Sequence, residues 1–130
     1  MDYFRGCTRP TAGYRRIRVV GHEVLEILGR FHFHFGALEM EHIPYESYER
    51  MAHLCRVADS LGITPIASLG QIDPLQIQKV LELGAMGVMV PHVIKAEDAL
   101  RAVEAAKFPP DGRRGTAGAI TSVAVWYGFP

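Results

Sequence analysis

The chain has 130 residues, 48% of them hydrophobic and 22% charged, with a formal net charge of zero. That length and balance suit one folded domain, exclude a disordered chain, and give no electrostatic pull toward nucleic acid or an acidic membrane. No apolar run approaches the roughly 20 residues that span a bilayer and no signal-peptide core follows Met1. The two cysteines, Cys7 and Cys55, match neither a metal spacing nor a disulfide framework, so a reducing, cytoplasmic setting is expected.

Along the chain, strand and helix signals alternate. Residues 1–16 are polar, basic and punctuated by Gly and Pro, which predicts an arm. Ile17–Val20 predicts a short strand, followed by a helix over about Val24–Gly29. Phe31-His32-Phe33-His34-Phe35 alternates with period two and runs on into Gly36-Ala37-Leu38, which predicts a second strand with His32 and His34 on one side. After Pro44 an amphipathic helix is expected from about Tyr45 to Ser60, with Met51, Leu54, Cys55, Ala58 and Leu61 at helical spacing and Gly62 ending it. Ile63–Leu69 predicts a third strand. Asp73 then caps a helix with Pro74 at its first position, and that helix stops at Gly84. Gly87–Pro91 predicts a fourth, apolar strand buried on both faces, with Met86 and Met89 in the core. Ala96–Lys107 predicts a fourth helix.

Four strand–helix units in succession imply a parallel sheet with right-handed crossovers. An open doubly wound sheet fits, and so does half of an eight-stranded barrel, which normally needs about 250 residues. In both, chemistry collects where loops leave the carboxyl ends of strands. The run Glu39-Met40-Glu41-His42-Ile43-Pro44 stands at such an end, with two carboxylates and an imidazole suited to proton transfer or metal binding.

Several ordered pieces then carry a resemblance. They are Glu39-Met40-Glu41-His42-Ile43-Pro44-Tyr45, Asp73-Pro74, Gly87-Val88-Met89-Val90-Pro91-His92-Val93 and Pro109-Pro110-Asp111-Gly112-Arg113-Arg114-Gly115. With them, Ile17 to Gly118 resembles the N-terminal half of the HpcH/HpaI aldolases, metal-dependent 2-oxoacid aldolases related to citrate lyase β subunits. The resemblance implies an α/β fold, a partial (β/α)8 TIM barrel of about four parallel βα units. It divides the chain into an arm over 1–16, a half-barrel over 17–118, and a segment over 119–130 that stops before the family's metal-binding half.

The same resemblance implies a reaction. A 4-hydroxy-2-oxoacid is cleaved to pyruvate and an aldehyde, with a divalent cation (Mg, Mn or Co) stabilising the enolate. By position, His42 handles the hydroxyl proton, and Glu82 partners it, often across a subunit interface. A homo-oligomer is therefore expected, and an unclosed barrel with open strand edges points the same way. The metal-binding carboxylates of the family lie beyond this chain.

Two departures keep a second reading open. Ser68 stands where the family carries a substrate-holding arginine, and a hydroxyl cannot replace a bidentate guanidinium. Glu39 replaces the usual Asp and is one methylene longer. Glu39 reads as site or solvent, and Glu41 as an orienting group or a carboxylate near a helix start. His92 reads as lining the site or anchoring its loop. Arg113 and Arg114 either hold an anion at the barrel mouth or make ion pairs that fix their loop. The two functions left are a carbon–carbon lyase acting as a half-domain, and a non-catalytic relative serving as a subunit or binding module.

Overall fold

A computed structural model describes residues 18–19, 21–43 and 47–116. Its elements are β1 (Arg18–Val19), α1 (His22–Arg30), β2 (Phe35–Glu39), α2 (Tyr48–Ser60), β3 (Thr64–Ser68), α3 (Pro74–Glu82), β4 (Gly87–Met89) and α4 (Ala96–Ala106). The arm, the segment 119–130, and Ile17, Val20, Pro44 and Tyr45 lie outside the described residues.

All strand pairs are parallel, and the sheet order is β1-β2-β3-β4. A doubly wound sheet reverses its strand order at a switch point. Here every new strand is added on the same side of the last. That single direction of winding selects the barrel over the open sheet, and the fold is four βα units of a partial (β/α)8 barrel.

Period-two alternation sorts each strand between two faces. Leu38, Met40, Ala67 and Leu69 join the core with Leu25 and Leu28 of α1, Met51, Leu54 and Ala58 of α2, and Ile77 and Val80 of α3. Fully burying each such Leu, Ile or Met side chain contributes about 1.5–3 kcal/mol. The intervening positions, Ala37 and Glu39, Ile66 and Ser68, point to the opposite face. Among the described residues no helix is long and apolar enough to cross a membrane.

Three helices end in the same way. After α2, Gly62 sits at φ 68° and the Ile63 N–H donates to Ala58 O. After α3, Gly84 sits at φ 109° and the Ala85 N–H donates to Val80 O. After α1, His32 takes the left-handed position at φ 56°, its N–H donates to Gly29 O, and the Phe33 N–H donates to Leu28 O. This is the Schellman pattern, which glycine usually fills.

That third turn corrects the sequence reading of the second strand. Phe31–His34 closes a helix, and β2 begins only at Phe35. His32 and His34 therefore do not share a strand face, and the exposed Phe31 and Phe33 belong to the turn. Three further boundaries and placements differ. Helix α1 starts at His22, earlier than its apolar spacing suggests. Helix α2 starts at Tyr48 because the Ser47 side chain accepts from the Arg50 N–H and caps it. Strand β4 is half-buried rather than covered on both faces, and Met86 before it is exposed, because among the described residues no fifth strand pairs with β4. The start of α3 is as read: Asp73 accepts from the Leu75 N–H at 2.9 Å with Pro74 at the first position.

Candidate active site at the strand ends

The register places Glu39 opposite Ser68, and Ser68 opposite Met89. These three are the last residues of β2, β3 and β4, so the loops carrying Glu41, His42 and His92 leave the sheet at one edge.

Glu39 is almost fully buried, at 3% exposure. Its Oε1 accepts from the Glu41 N–H at 2.8 Å and from the His42 N–H at 3.3 Å. The carboxylate thus folds back under its own loop and fixes the two residues that follow. The loop displays the His42 imidazole about half exposed, with Nε2 at 3.4 Å from Glu41 Oε2. The other Glu41 oxygen, Oε1, lies 3.6 Å from His92 Nε2. His92 follows Pro91 with φ 57°, a left-handed conformation in which histidine is several-fold enriched among non-glycine residues. A Cβ added at Gly70, in the loop after β3, would stand 3.7 Å from Glu41 Cα, so the two loops run close together there. Ser68 is buried beside this group.

Glu39, Glu41, His42, Ser68 and His92 are therefore brought together. Glu82, Arg113 and Arg114 are not. Glu82 is the last residue of α3, which runs back from the strand ends, so within one chain it lies at the far end of the sheet from His42. Its Oε1 accepts from Gln78 Nε2 at 2.8 Å, a partner that the four-residue helical spacing makes legible but that sequence reasoning passed over. Arg113 Nε is 3.7 Å from Glu104 Oε2, and the Arg114 guanidinium stacks 4.6 Å from the Phe108 ring centre. Burial pulls the Arg114 guanidinium below its ordinary pKa, and nearby Glu82 opposes that pull. Both arginines line a cleft of about 360 Å³ between α3 and α4, on the outer helical layer. Of their two sequence readings, this geometry favours the one in which they fix their loop.

No group of three or more His, Cys, Asp or Glu side chains among the described residues could hold a metal ion. Glu41 meets each imidazole with a different oxygen, so these side chains form a line of contacts and do not converge on a point. Glu39 Oε1 is already committed to two amides. The described residues do not fit the divalent cation that the resemblance implies.

No family model matches the chain. It is 36% identical over 106 residues to the 2-dehydro-3,6-dideoxy-6-sulfogluconate aldolase of Pseudomonas putida, covering 80% of this chain and 41% of that protein. It is 30% identical over 105 residues to the 4-hydroxy-2-oxo-heptane-1,7-dioate aldolase of Salmonella dublin, covering 81% of this chain and 40% of that one. Its fold superimposes on the HpcH/HpaI aldolase from Desulfitobacterium hafniense with a TM-score of 0.70 and 31% identity, covering 77% of this chain and 38% of the other. The chain is a relative of the HpcH/HpaI aldolases. It spans about two-fifths of the length of the curated relatives it matches. Its four βα units match about two-fifths of that HpcH/HpaI structure, and they carry two imidazoles and two carboxylates at one edge.

Proposed function

We propose that this chain contributes the proton-transfer side of a carbon–carbon lyase of the 2-oxoacid aldolase type. The observation that carries the reading is the His42 imidazole at the end of β2, with Glu41 against its Nε2 and Glu39 fixing the loop beneath. The aldolase names of the relatives support the same reaction class.

The substrate is a 4-hydroxy-2-oxoacid. His42 accepts the proton of the C4 hydroxyl, and the electrons of that O–H bond form the aldehyde carbonyl as the C3–C4 bond breaks. The C3–C4 pair passes to the pyruvate fragment as its enolate, and a returned proton on C3 completes pyruvate. Glu41 favours the imidazolium that forms on the way. Stabilising the enolate, the role of the family's divalent metal, falls to groups beyond the described residues. A second copy of the chain would bring its Glu82 to His42, which makes a homo-oligomer part of this proposal, as is a cytoplasmic setting.

Ser68 favours a second reading. A buried neutral hydroxyl ends β3 where the resemblance implies a guanidinium, so substrate carboxylate is held weakly from this position. On that reading the chain is a non-catalytic subunit or binding module. The deciding measurement is pyruvate release from a simple 4-hydroxy-2-oxoacid with Mg²⁺, Mn²⁺ or Co²⁺ added, comparing wild type with His42→Ala. Metal-dependent release that falls about 10²- to 10⁴-fold in His42→Ala is expected. No release from the wild type removes the lyase reading for this chain, and binding without turnover establishes the module.

A further inference from the structure

We propose that two copies of this chain close one barrel between them, with β4 and α4 of each copy packed against β1 and α1 of the other. The inference rests on the winding of the sheet and on its two free sides, and is independent of the reaction assigned above.

Among the described residues the sheet has two outer strands, β1 and β4. The Leu69 N–H donates to Met89 O, so Met89 turns its backbone groups toward β3. By the alternation along a parallel ladder, Val88 turns its own N–H and C=O to the free side. All four strands run the same way and wind in one direction. Four such βα units are half of the eight that close a barrel. A two-fold axis along the strands preserves their direction. It sets β4 of each copy parallel to β1 of the other, the pairing the sheet already uses, and leaves neither edge open.

The helices outside these two strands fit the same join. In α1, His22 meets the His53 ring of α2 and Gly29 lies against Leu61, so that flank is occupied. Val24, Ile27 and Phe31, at spacings of three and four, share the other flank. There Ile27 is 55% exposed and Phe31 72%. In α4, Arg101, Glu104 and Ala105 line the cleft shared with α3. Ala99, Val103 and Ala106 share the flank turned away from it, with Val103 exposed. Large apolar side chains on one free flank therefore meet small ones on the other, a match that lets two helices interdigitate.

Sheet order names the cover. In a closed barrel the neighbour of β4 is a parallel strand whose helix packs beside α4. The β1–α1 unit is the one whose matching side is free, and it is found on a second copy of the chain. Closure also completes the strand-end site. Glu41, His42 and His92 of both copies stand at one mouth, and each copy walls the side that the other leaves open beside β4. In this pairing Glu82 stays at the opposite pole, so its approach to a His42 takes a further copy beyond the closed pair.

Light scattering on the full chain is expected to give the mass of two chains, with circular dichroism as the check of folding. Ile27→Lys and Val103→Glu are each expected to halve that mass. Mixed in equal amounts, the two variants are expected to recover it. One join then sets the introduced lysine against the introduced glutamate, and the other join is wild type. That recovery reads out even where either variant alone folds poorly. Leu75→Glu alters an exposed apolar residue in the α3–α4 cleft, and should leave the two-chain mass unchanged. A monomeric wild type, whose edges some other unit then covers, overturns the proposal. Division by Val103→Glu but not by Ile27→Lys also overturns it, since β4 edges are then paired with each other. So does a mixture that stays monomeric. A two-chain mass without pyruvate release keeps the closed barrel and removes the lyase reading, and release from a monomer does the reverse.

Discussion

Removing the Glu39 carboxylate tests how the site loop is held. Glu39 Oε1 takes two backbone N–H groups, Glu41 at 2.8 Å and His42 at 3.3 Å. The shorter contact is a charge-assisted bond from a buried acceptor, a kind that contributes about 1.5–3 kcal/mol. The longer lies past the usual N–H···O range, and counts for about 0.5–1 kcal/mol. Glu39→Ala is therefore expected to cost roughly 2–4 kcal/mol by these two bonds. Glu39→Gln keeps an acceptor oxygen without the charge, and should fall about midway between wild type and Glu39→Ala. Glu39→Asp keeps a carboxylate able to accept from the N–H two residues on, as Asp73 does, and should stay nearer wild type than Glu39→Ala. Urea unfolding of the three variants against wild type measures this series, and amide hydrogen exchange at His42 reports the loop locally. A Glu39→Ala variant within about 0.5 kcal/mol of wild type, the range of ordinary surface substitutions, would refute the argument that this side chain holds the loop.

Three other outcomes follow from the same coordinates. His32→Gly relieves a left-handed non-glycine residue, and should stabilise the chain by about 0.5–1 kcal/mol in thermal melting, whereas His32→Ala should not. Burial pushes the Cys55 thiol up to about 11. Its folded value is raised, so the stability it confers is complete below the unfolded thiol's value of about 9 and fades as pH climbs toward 11. Urea midpoints over that range should fall more steeply in wild type than in Cys55→Ala. Light scattering should give a mass above that of one chain, because β4 is half-buried and unpaired along its outer edge among the described residues. A cooperative monomer would count against this.

Much of the fold was legible because its punctuation is local. Asp73 with Pro74, and Gly62 and Gly84 after their helices, each mark a boundary through backbone chemistry that one or two residues control. Helix α1 hid its end because histidine fills a position where glycine is the recognisable sign, so an alternating Phe-His run passed for a strand. The choice between barrel and open sheet was not written in periodicity, since both use the same units. Strand order decides it, and that is a property of the assembled sheet.

The site divided along the same line. Glu39, Glu41 and His42 are neighbours in sequence, and strand ends bring loops together by rule, so their meeting with Ser68 and His92 could be anticipated. How Glu39 is used could not, because its turn beneath the loop depends on burial. The place of Glu41 between two rings was equally hidden, since His92 comes from a strand two places away. Arg113 and Arg114 could be read in sequence either as anion holders or as ion-pairing loop anchors, and only the packing puts one at Glu104 of α4 and the other over Phe108.

The three left-handed turns at His32, Gly62 and Gly84 all lie where helices hand over to the next strand, the pole of the half-barrel away from His42. Robustness and reactivity are thereby assigned to opposite ends of the molecule. A variant hardened at those turns should keep its chemistry, and a variant with re-cut loops at the reactive pole should keep its scaffold, so either end can drift while the other stands still.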